Sequence, residues 1–298
     1  MSAPVIVLGG SGLVGSRLRQ LWTSQMEVVA PTHAELDVLD PGALESFLEA
    51  SPASSVVNLV AWADVDGAEP ERGDTRGLVH RLNVDFPARL AGLTRRFEKH
   101  LVHVSTDYVF GGTNAERPYR EDDPTHTLCW YAETKRDGEV AVTSADSTAC
   151  VARIEMPYTA APHAKRDLAR LVAARLKDGQ TVQGVTDQRI TPVFLDDAAA
   201  ALRRLVEARY RGIVHVAASE WTTPYNFACA IARRLGLNLE LVQPVAFADF
   251  AVTRPARRPQ HSWLDVSRFT NAFDGGMLRS VEDALDVWTR QWQSTNVS

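Results

Sequence analysis

The sequence predicts an α/β fold, a Rossmann-type doubly wound parallel sheet with a smaller C-terminal lobe. Three observations predict it. Short apolar runs alternate with stretches of helical period through the first half of the chain. Those runs are apolar along most of their length, as in a parallel sheet covered by helices on both faces. A glycine-rich turn follows the first run directly and opens the first helix.

The elements read in order as follows. Val5-Ile6-Val7-Leu8 is a buried strand, and Leu13, Val14, Leu18, Leu21 and Trp22 lie at helical spacing behind the glycines. Glu27 to Ala30 is a second strand. Asp40 caps a helix with Pro41 at its first position, its inner face formed by Leu44, Phe47 and Leu48. Val56 to Val60 is a third strand, followed by a long helix from about Leu78 to Phe97. Leu101 to Val104 and Ala149 to Ile154 are the fourth and fifth strands. Later, Thr191 to Phe194 lead into a helix near Asp196, and Ile213 to Val216 form another strand. Thr223-Pro224 start a helix that Gly236 ends. Pro255 to Pro259 is a loop rich in Pro and Arg, and Ser280 and Asp283 cap a last helix. Consecutive units are expected to cross over right-handed. The expected division is a nucleotide-binding domain over residues 1–155, with a return segment at about 191–217. Residues 156–190 and 218–298 form the smaller, substrate-binding lobe.

The turn Gly9-Gly10-Ser11-Gly12-Leu13-Val14-Gly15 fits the dinucleotide-binding pattern in its proper context of strand, turn and helix. Its glycines let the backbone approach a pyrophosphate, and the helix N-terminus offers N–H donors and partial positive charge. Gly9, Ser11, Gly12, Leu13, Val14 and Gly15 are therefore cofactor-binding candidates. An NAD site usually carries an acid after the second strand to hold the ribose hydroxyls. Here Thr32 and His33 stand at that point without one, and Glu35 just beyond reads as a surface residue. Arg17 would add attraction for a 2′-phosphate. The expected cofactor is NADPH or NADH, with NADPH favoured. Asp37 resembles the acid that contacts adenine in related folds.

Tyr131 and Lys135 lie four residues apart, on one face of a helix. A carbonyl reduced by hydride must also take a proton, and tyrosine, with an ordinary pKa of about 10, is a poor acid near neutrality. A nearby ammonium favours the phenolate and brings that value down. Ser105 and Thr106 follow the fourth strand, at the sheet edge where ligands bind in such folds. A hydroxyl there can hold the substrate oxygen while charge develops on it. Thr106 is the first candidate and Ser105 the second.

The string from Ser105 to Gly112, then Pro118-Tyr119, Glu121, Pro124 and Tyr131 with Lys135, resembles the dTDP-4-dehydrorhamnose reductase family of extended short-chain dehydrogenases. The likeness runs along nearly the whole chain: Val57-Asn58 with Ala61, Val65-Asp66 and Ala68-Glu69; Leu82-Asn83-Val84; Asp187-Gln188; Thr191-Pro192; Asp196-Asp197; Arg257-Arg258-Pro259 with Ser262, Leu264 and Asp265. It implies reduction of a 4-keto-6-deoxysugar nucleotide by NAD(P)H. It implies that Asn83 helps organise the active site, and that Val60, Ala61 and Trp62 lie against the cofactor. It places Val65, Asp107, Tyr108 and Met156 at the substrate, with Arg258 gripping a nucleotide diphosphate by its planar fork.

The chain departs from the family after the fifth strand. Where the family typically has Arg-Thr-Ser-Trp-Val-Tyr-Gly, this chain has Arg153-Ile154-Glu155-Met156-Pro157-Tyr158-Thr159. Met156 replaces a tryptophan near the sugar, Trp62 stands where tyrosine is frequent, and Ala132 replaces a glycine. The sugar preference is therefore expected to differ from 4-dehydrorhamnose. His103 and His215, inside strands, read as core histidines. Trp62, Trp130 and Trp221 fall in loops near the expected site, and Trp130 is a candidate for stacking on the substrate.

The remaining composition narrows the function class. A net charge of −5 leaves no broad basic surface for nucleic acid. The three cysteines are far apart, with no CxxC pair, and no His/Asp/Glu cluster has metal spacing, so no metal is expected. No apolar run approaches the ~18 residues of a membrane span. A basic, apolar leader is lacking, so the expected setting is the cytoplasm, with a homodimer left open and neither membrane nor nucleic acid as partner. Two other functions compete with a reductase. One is a sugar-nucleotide epimerase or dehydratase, although a dehydratase of this superfamily carries Thr-Asp-Glu where this chain has Thr106-Asp107-Tyr108. The other is a non-catalytic NADP-binding subunit, resembling the regulatory beta subunit of methionine adenosyltransferase, which would have no need of Thr106, Tyr131 and Lys135.

Overall fold

The computed structural model describes residues 4–273 and 275–296, so the segment ends at 1–3 and 297–298 lie outside the described residues. Apolar runs form β1 (Val5–Leu8), β2 (Val28–Val29), β3 (Ser55–Asn58), β4 (His100–Thr106) and β5 (Cys150–Ile154). Between them lie α1 (Leu13–Trp22), α2 (Pro41–Ala50), the short α3 (Val65–Ala68) and α4 (Leu78–His80), α5 (Phe86–Arg96) and α6 (Trp130–Ala145). The later half adds α7 (Leu168–Lys177), β6 (Val182–Val185), α8 (Leu195–Glu207), β7 (Gly212–Val216), α9 (Pro224–Leu235) and β8 (Val242–Val245). It closes with α10 (Phe247–Ala251), α11 (Ser267–Ala272) and α12 (Val281–Asn296).

Six strands pair in parallel in the order β2-β1-β3-β4-β5-β7. Alternate side chains of the strands face opposite ways. Val5 and Val7 join one core with Leu18 and Trp22 of α1 and Leu195, Ala198 and Leu202 of α8. Ile6 and Leu8 join the other, with Leu44 and Leu48 of α2, Phe86 and Leu90 of α5, and Val142 of α6. The strand order reverses between β1 and β3, and ligands in such sheets bind beyond the carboxyl ends of the strands at that point. A third core gathers α7, α9, β6, β8 and α12, with Tyr158 and Phe194, around a two-stranded parallel sheet of β6 and β8.

Several elements differ from expectation. The helix expected from Leu78 to Phe97 is broken into α4, a π turn over Arg81–Asp85, and α5. Pro87 lies in the first turn of α5 and has no N–H to offer the Asn83 carbonyl. Phe86 N instead donates to Arg81 O, a five-residue step. β4 runs two residues further than expected, so Ser105 and Thr106 sit within the strand end, paired with Arg153 and Ile154 of β5. The segments that became α7, β6 and β8 were not expected to form elements. Gly184 in β6 and Pro244 in β8 interrupt their apolar runs. The expected caps do form: Asp40 accepts from Gly42 N and Ala43 N, and Gly236 closes α9 at φ 65°.

Candidate active site

The glycine turn is pressed between β1, β3 and α1. Gly9 takes φ 81°, and a β-carbon on it would lie 2.9 Å from Leu59 C and Val60 N. At the start of α1, a β-carbon on Gly15 would come 2.3 Å from Gly9 O. Gly12 is the N-cap, without a side-chain capping bond, and the first turn of α1 carries no acid. The helix therefore opens with uncapped N–H donors and an unopposed positive end, which suits an anion.

A cavity of about 440 Å³ lies at this end of the sheet. Its walls are Gly9 with Gly12 to Gly15, then Ser105, Thr106 and Asp107 at the end of β4, Tyr131 and Lys135 of α6, and Met156 beyond β5. A second cavity, of about 640 Å³, is lined by Ser11, His33, Asp37, Val60 and Ala61. The two share Gly9, Gly12, Leu59 and Ala61, so the glycine turn joins them into one trough. One end holds the Tyr131/Lys135 pair and the other holds Asp37, whose Oδ1 accepts from Leu39 N at 2.9 Å. Such a trough fits an extended dinucleotide.

At the reacting end Ser105, Thr106, Asp107 and Lys135 are buried and Tyr131 is half-buried. Lys135 Nζ donates to Val104 O at 2.9 Å and lies 3.5 Å from His103 Nε2. Burial brings the Lys135 ammonium down to about 8, with Glu139 opposing. Glu139 is itself held by Arg153 at 2.7 Å. Burial pushes the Tyr131 phenol up, while the adjoining Thr106 hydroxyl works the other way. The lowering of the tyrosine by its lysine, expected from their spacing, does not appear; burial dominates, and the lowering influence comes from Thr106. Thr106 Oγ1 donates to Asp107 Oδ1 at 3.0 Å and accepts from Tyr108 N at 3.3 Å. Asp107 Oδ2 and Ser105 Oγ are buried and have no hydrogen-bond partner among the described residues. Buried polar atoms seldom stay unpaired, so these two, on the cavity wall beside Tyr131, suit the polar groups of a ligand.

Asn83 lines neither cavity. Its Oδ1 accepts from Trp62 N at 2.8 Å, and its Nδ2 donates to Trp62 O at 3.2 Å and to Thr134 Oγ1 at 3.0 Å. Thr134 Oγ1 in turn donates to Tyr131 O at 3.0 Å. Asn83 thus ties the loop after β3 to the first turn of α6. Trp62, Val65, Tyr108 and Arg258 also lie off the cavity walls. Trp62 and Tyr131 pack against Ala68, Val79 and Trp130, while Val65, Tyr108 and Tyr131 pack against Cys129, Ala132 and Ala256.

The structure corrects two expectations, for Arg17 and for Trp130. Arg17 is buried, with Nε 2.6 Å from Asp196 Oδ1, and so faces α8 rather than a cofactor phosphate. Glu35 is exposed, as expected of a surface residue, and folds back to accept from Thr32 N at 2.7 Å and Thr32 Oγ1 at 2.9 Å. Trp130 is buried at the start of α6, stacked near His80, and is a core residue rather than a substrate platform. Arg258 meets Asp66 through two bonds of 3.0 and 2.8 Å. Trp221, for its part, packs on Arg189 and Trp263, away from both cavities.

Other residues at the site escaped the sequence reading. His163, Lys165 and Arg166 border the first cavity. Lys165 N donates to His163 Nδ1 at 3.0 Å, so Nε2 carries the proton and donates to Ser11 O at 3.1 Å, across the glycine turn. The His/Lys/Arg grouping was the available signal. Glu155 is wholly buried, accepts from Thr191 N at 2.8 Å, from the Thr191 hydroxyl and from Ser262 Oγ at 2.8 Å, and so fastens three distant segments behind Asp107. Met156 follows at φ 38°, a left-handed value that few side chains adopt. Among the described residues no group of three or more His, Cys, Asp or Glu could hold a metal ion, and no helix is long and apolar enough to cross a membrane.

Comparison with known proteins gives concordant results. The family model described as the RmlD substrate binding domain matches residues 3–292. The chain is 35% identical over 269 residues to a probable dTDP-4,6-dihydroxy-2-methyloxan-3-one 4-ketoreductase of Streptomyces antibioticus, covering 89% of this chain and 87% of that protein. It is 33% identical over 276 residues to the dTDP-4-dehydrorhamnose reductase of Mycobacterium tuberculosis, covering 91% and 88% of the two chains. In fold it matches a dTDP-4-dehydrorhamnose reductase of Bacillus anthracis solved in complex with NADP, at TM-score 0.88 and 22% identity, over 98% of this chain and 100% of that one.

Proposed function

Because the chain belongs to the RmlD substrate binding domain family, we propose that it is an NAD(P)H-dependent reductase of a 4-keto-6-deoxysugar nucleotide, with NADPH the favoured cofactor. The observation that carries this reading is the single trough in which the uncapped glycine turn meets Thr106, Tyr131 and Lys135. Bound NADPH or NADH supplies a hydride to the substrate carbonyl carbon. Each remaining task falls to side chains and backbone of this chain.

The N–H groups opening α1 hold the pyrophosphate, and Asp37 lies at the adenine end. Thr106 and Ser105 hold the carbonyl oxygen, so the developing charge meets donors that need no rearrangement. Tyr131 gives its proton to that oxygen. Lys135, as the ammonium, stabilises the phenolate left behind. Asn83 acts at one remove, keeping Trp62 and the first turn of α6 in place. On the sugar side, Met156 offers a flexible thioether where the family typically has a rigid indole, which suits an altered sugar ring. Arg258 and Asp66 sit behind Tyr108 and supply a charged anchor near the nucleotide diphosphate. The setting of this chemistry is the cytoplasm, with a nucleotide-sugar as the partner.

The test is turnover. The purified protein is mixed with NADPH and dTDP-, UDP- or GDP-linked 4-keto-6-deoxyhexoses, and loss of reduced nicotinamide is followed beside formation of the alcohol. Oxidation of one cofactor per ketone consumed supports the reductase. Tight cofactor binding without turnover on any of these sugars would favour the regulatory-subunit reading instead.

A further inference from the structure

Behind Lys135 lies a residue outside the tyrosine, lysine and hydroxyl set. His103 of β4 is wholly buried, with Nε2 3.5 Å from Lys135 Nζ and Nδ1 3.0 Å from Asn58 Nδ2. Its tautomer follows from the network. Val60 N donates to Asn58 Oδ1 at 3.0 Å, and a backbone N–H can meet only an acceptor, so the amide of Asn58 is fixed with its NH2 group towards the imidazole. Asn58 Nδ2 therefore donates to Nδ1, and the neutral ring carries its proton on Nε2, facing the lysine.

Two donors face one another if Lys135 is an ammonium. An uncharged amine resolves the clash: one N–H goes to Val104 O at 2.9 Å, and the lone pair faces the imidazole N–H. At 3.5 Å the contact is long for a hydrogen bond and acts chiefly through the N–H dipole. We propose that His103 is a positioning residue for the reaction, acting through Lys135: held as the Nε2–H tautomer by Asn58, it favours the amine form of the lysine. This rests on the reductase reading above. After Tyr131 has given its O–H proton to the substrate oxygen, the phenolate takes a proton from the Lys135 ammonium; one N–H bond breaks and one O–H bond forms. The amine so produced is the form that His103 favours, and a proton from solvent restores the ammonium.

The other groups around this site leave the direction intact. Glu139 on α6 favours the ammonium but is paired with Arg153 of β5. Tyr131 on α6 and Asp107 after β4 stand on the cavity wall, with His163, Lys165, Arg166 and Asp167 across it. On the β3 side the polar neighbour is the uncharged Asn58. Burial brings Lys135 down to about 8, so the ammonium still predominates at neutral pH while the amine comes within reach.

The test needs a readout that packing alone would not move. In the full chain labelled with 15N-histidine, the His103 signal, identified by its loss in His103→Asn, is expected to show a neutral ring protonated on Nε2. That signal should also shift through one inflection near 8, where Lys135 titrates, and lose the inflection in Lys135→Met. An Nδ1–H ring, an imidazolium, or a signal indifferent to Lys135→Met would overturn the proposal. Asn58→Asp, of the same shape, accepts from Nδ1–H and reverses the tautomer. Nε2 then accepts from the ammonium, and the basic limb of the kcat profile is expected to move up by about one pH unit, a tenfold change in the proton equilibrium. A reversed tautomer with an unmoved limb would also overturn the proposal. Undiminished turnover in Tyr131→Phe would sink the reductase reading instead and leave the parent histidine spectrum as it is.

Discussion

Gly138 of α6 lies against the backbone of Asn83: a β-carbon on residue 138 would come within 2.1 Å of the Asn83 carbonyl oxygen. That carbonyl is the one Pro87 cannot serve, so the π turn before α5 and the bare glycine on α6 are two sides of one contact. Gly138→Ala is expected to force the helices apart and lower stability by about 1–3 kcal/mol, the usual cost of overpacking. Because Asn83 also holds Trp62 and Thr134, turnover should fall as well. Chemical denaturation of the variant, with kcat measured alongside, checks both.

Glu35 is exposed after β2 and lines neither cavity, so it is expected to bear on cofactor choice only at the margin. Its carboxylate occupies the two Thr32 donors at the end of β2, and those bonds hold it below the usual carboxylate range, with Arg19 adding a smaller pull. A 2′-phosphate at that place would meet a like charge. Glu35→Gln is expected to raise the affinity for NADPH relative to NADH by about twofold to threefold, as for a screened surface charge. Fluorescence titration of both cofactors reads the ratio, and an unchanged ratio would place the 2′-phosphate elsewhere.

Glu155 makes stability depend on pH. Burial raises its carboxyl from 4.5 to about 7 in the folded chain. The folded state then binds the additional proton between those values, so this group's contribution is fully present below 4.5 and is lost as pH rises towards 7. Glu155→Gln should be at least as stable as the parent at neutral pH, by on the order of 2 kcal/mol at most. It should also show a flatter stability profile across that window. Denaturation midpoints measured at several pH values give the comparison.

The parts of the site that could be read from the sequence are local. The glycine turn needs only its neighbours, Tyr131 and Lys135 share one helix, and Ser105 and Thr106 end one strand. The parts that could not be read depend on distant segments. Glu155 acquires its role from Thr191 and Ser262, and nothing beside it in sequence announces a buried acid. Arg17 looked available to a phosphate because its partner Asp196 lies on another helix. Trp130 looked exposed because its loop becomes the buried start of α6. β6 and β8 each have too few apolar residues to signal a strand until they pair.

Arg258 is engaged with Asp66, and Asp66 is held below its ordinary value chiefly by that guanidinium. Arg258→Ala is expected to weaken dTDP binding by about 1–3 kcal/mol, the scale of a charged hydrogen bond. Calorimetry with dTDP reads this directly, and unchanged affinity would confine the pair to closing the loop.

The central claim is that Tyr131 is the proton donor to a ketone bound beside the glycine turn. Tyr131→Phe removes one oxygen from a half-buried ring and leaves the pyrophosphate site alone. The deciding measurement is kcat of this variant for a nucleotide-linked 4-keto-6-deoxysugar, beside its affinity for NADPH. Cofactor affinity is expected to stay near that of the parent while turnover falls by a factor of roughly 10² or more, the scale of losing a general acid. Turnover within about a factor of two of the parent, with cofactor binding intact, would contradict the account.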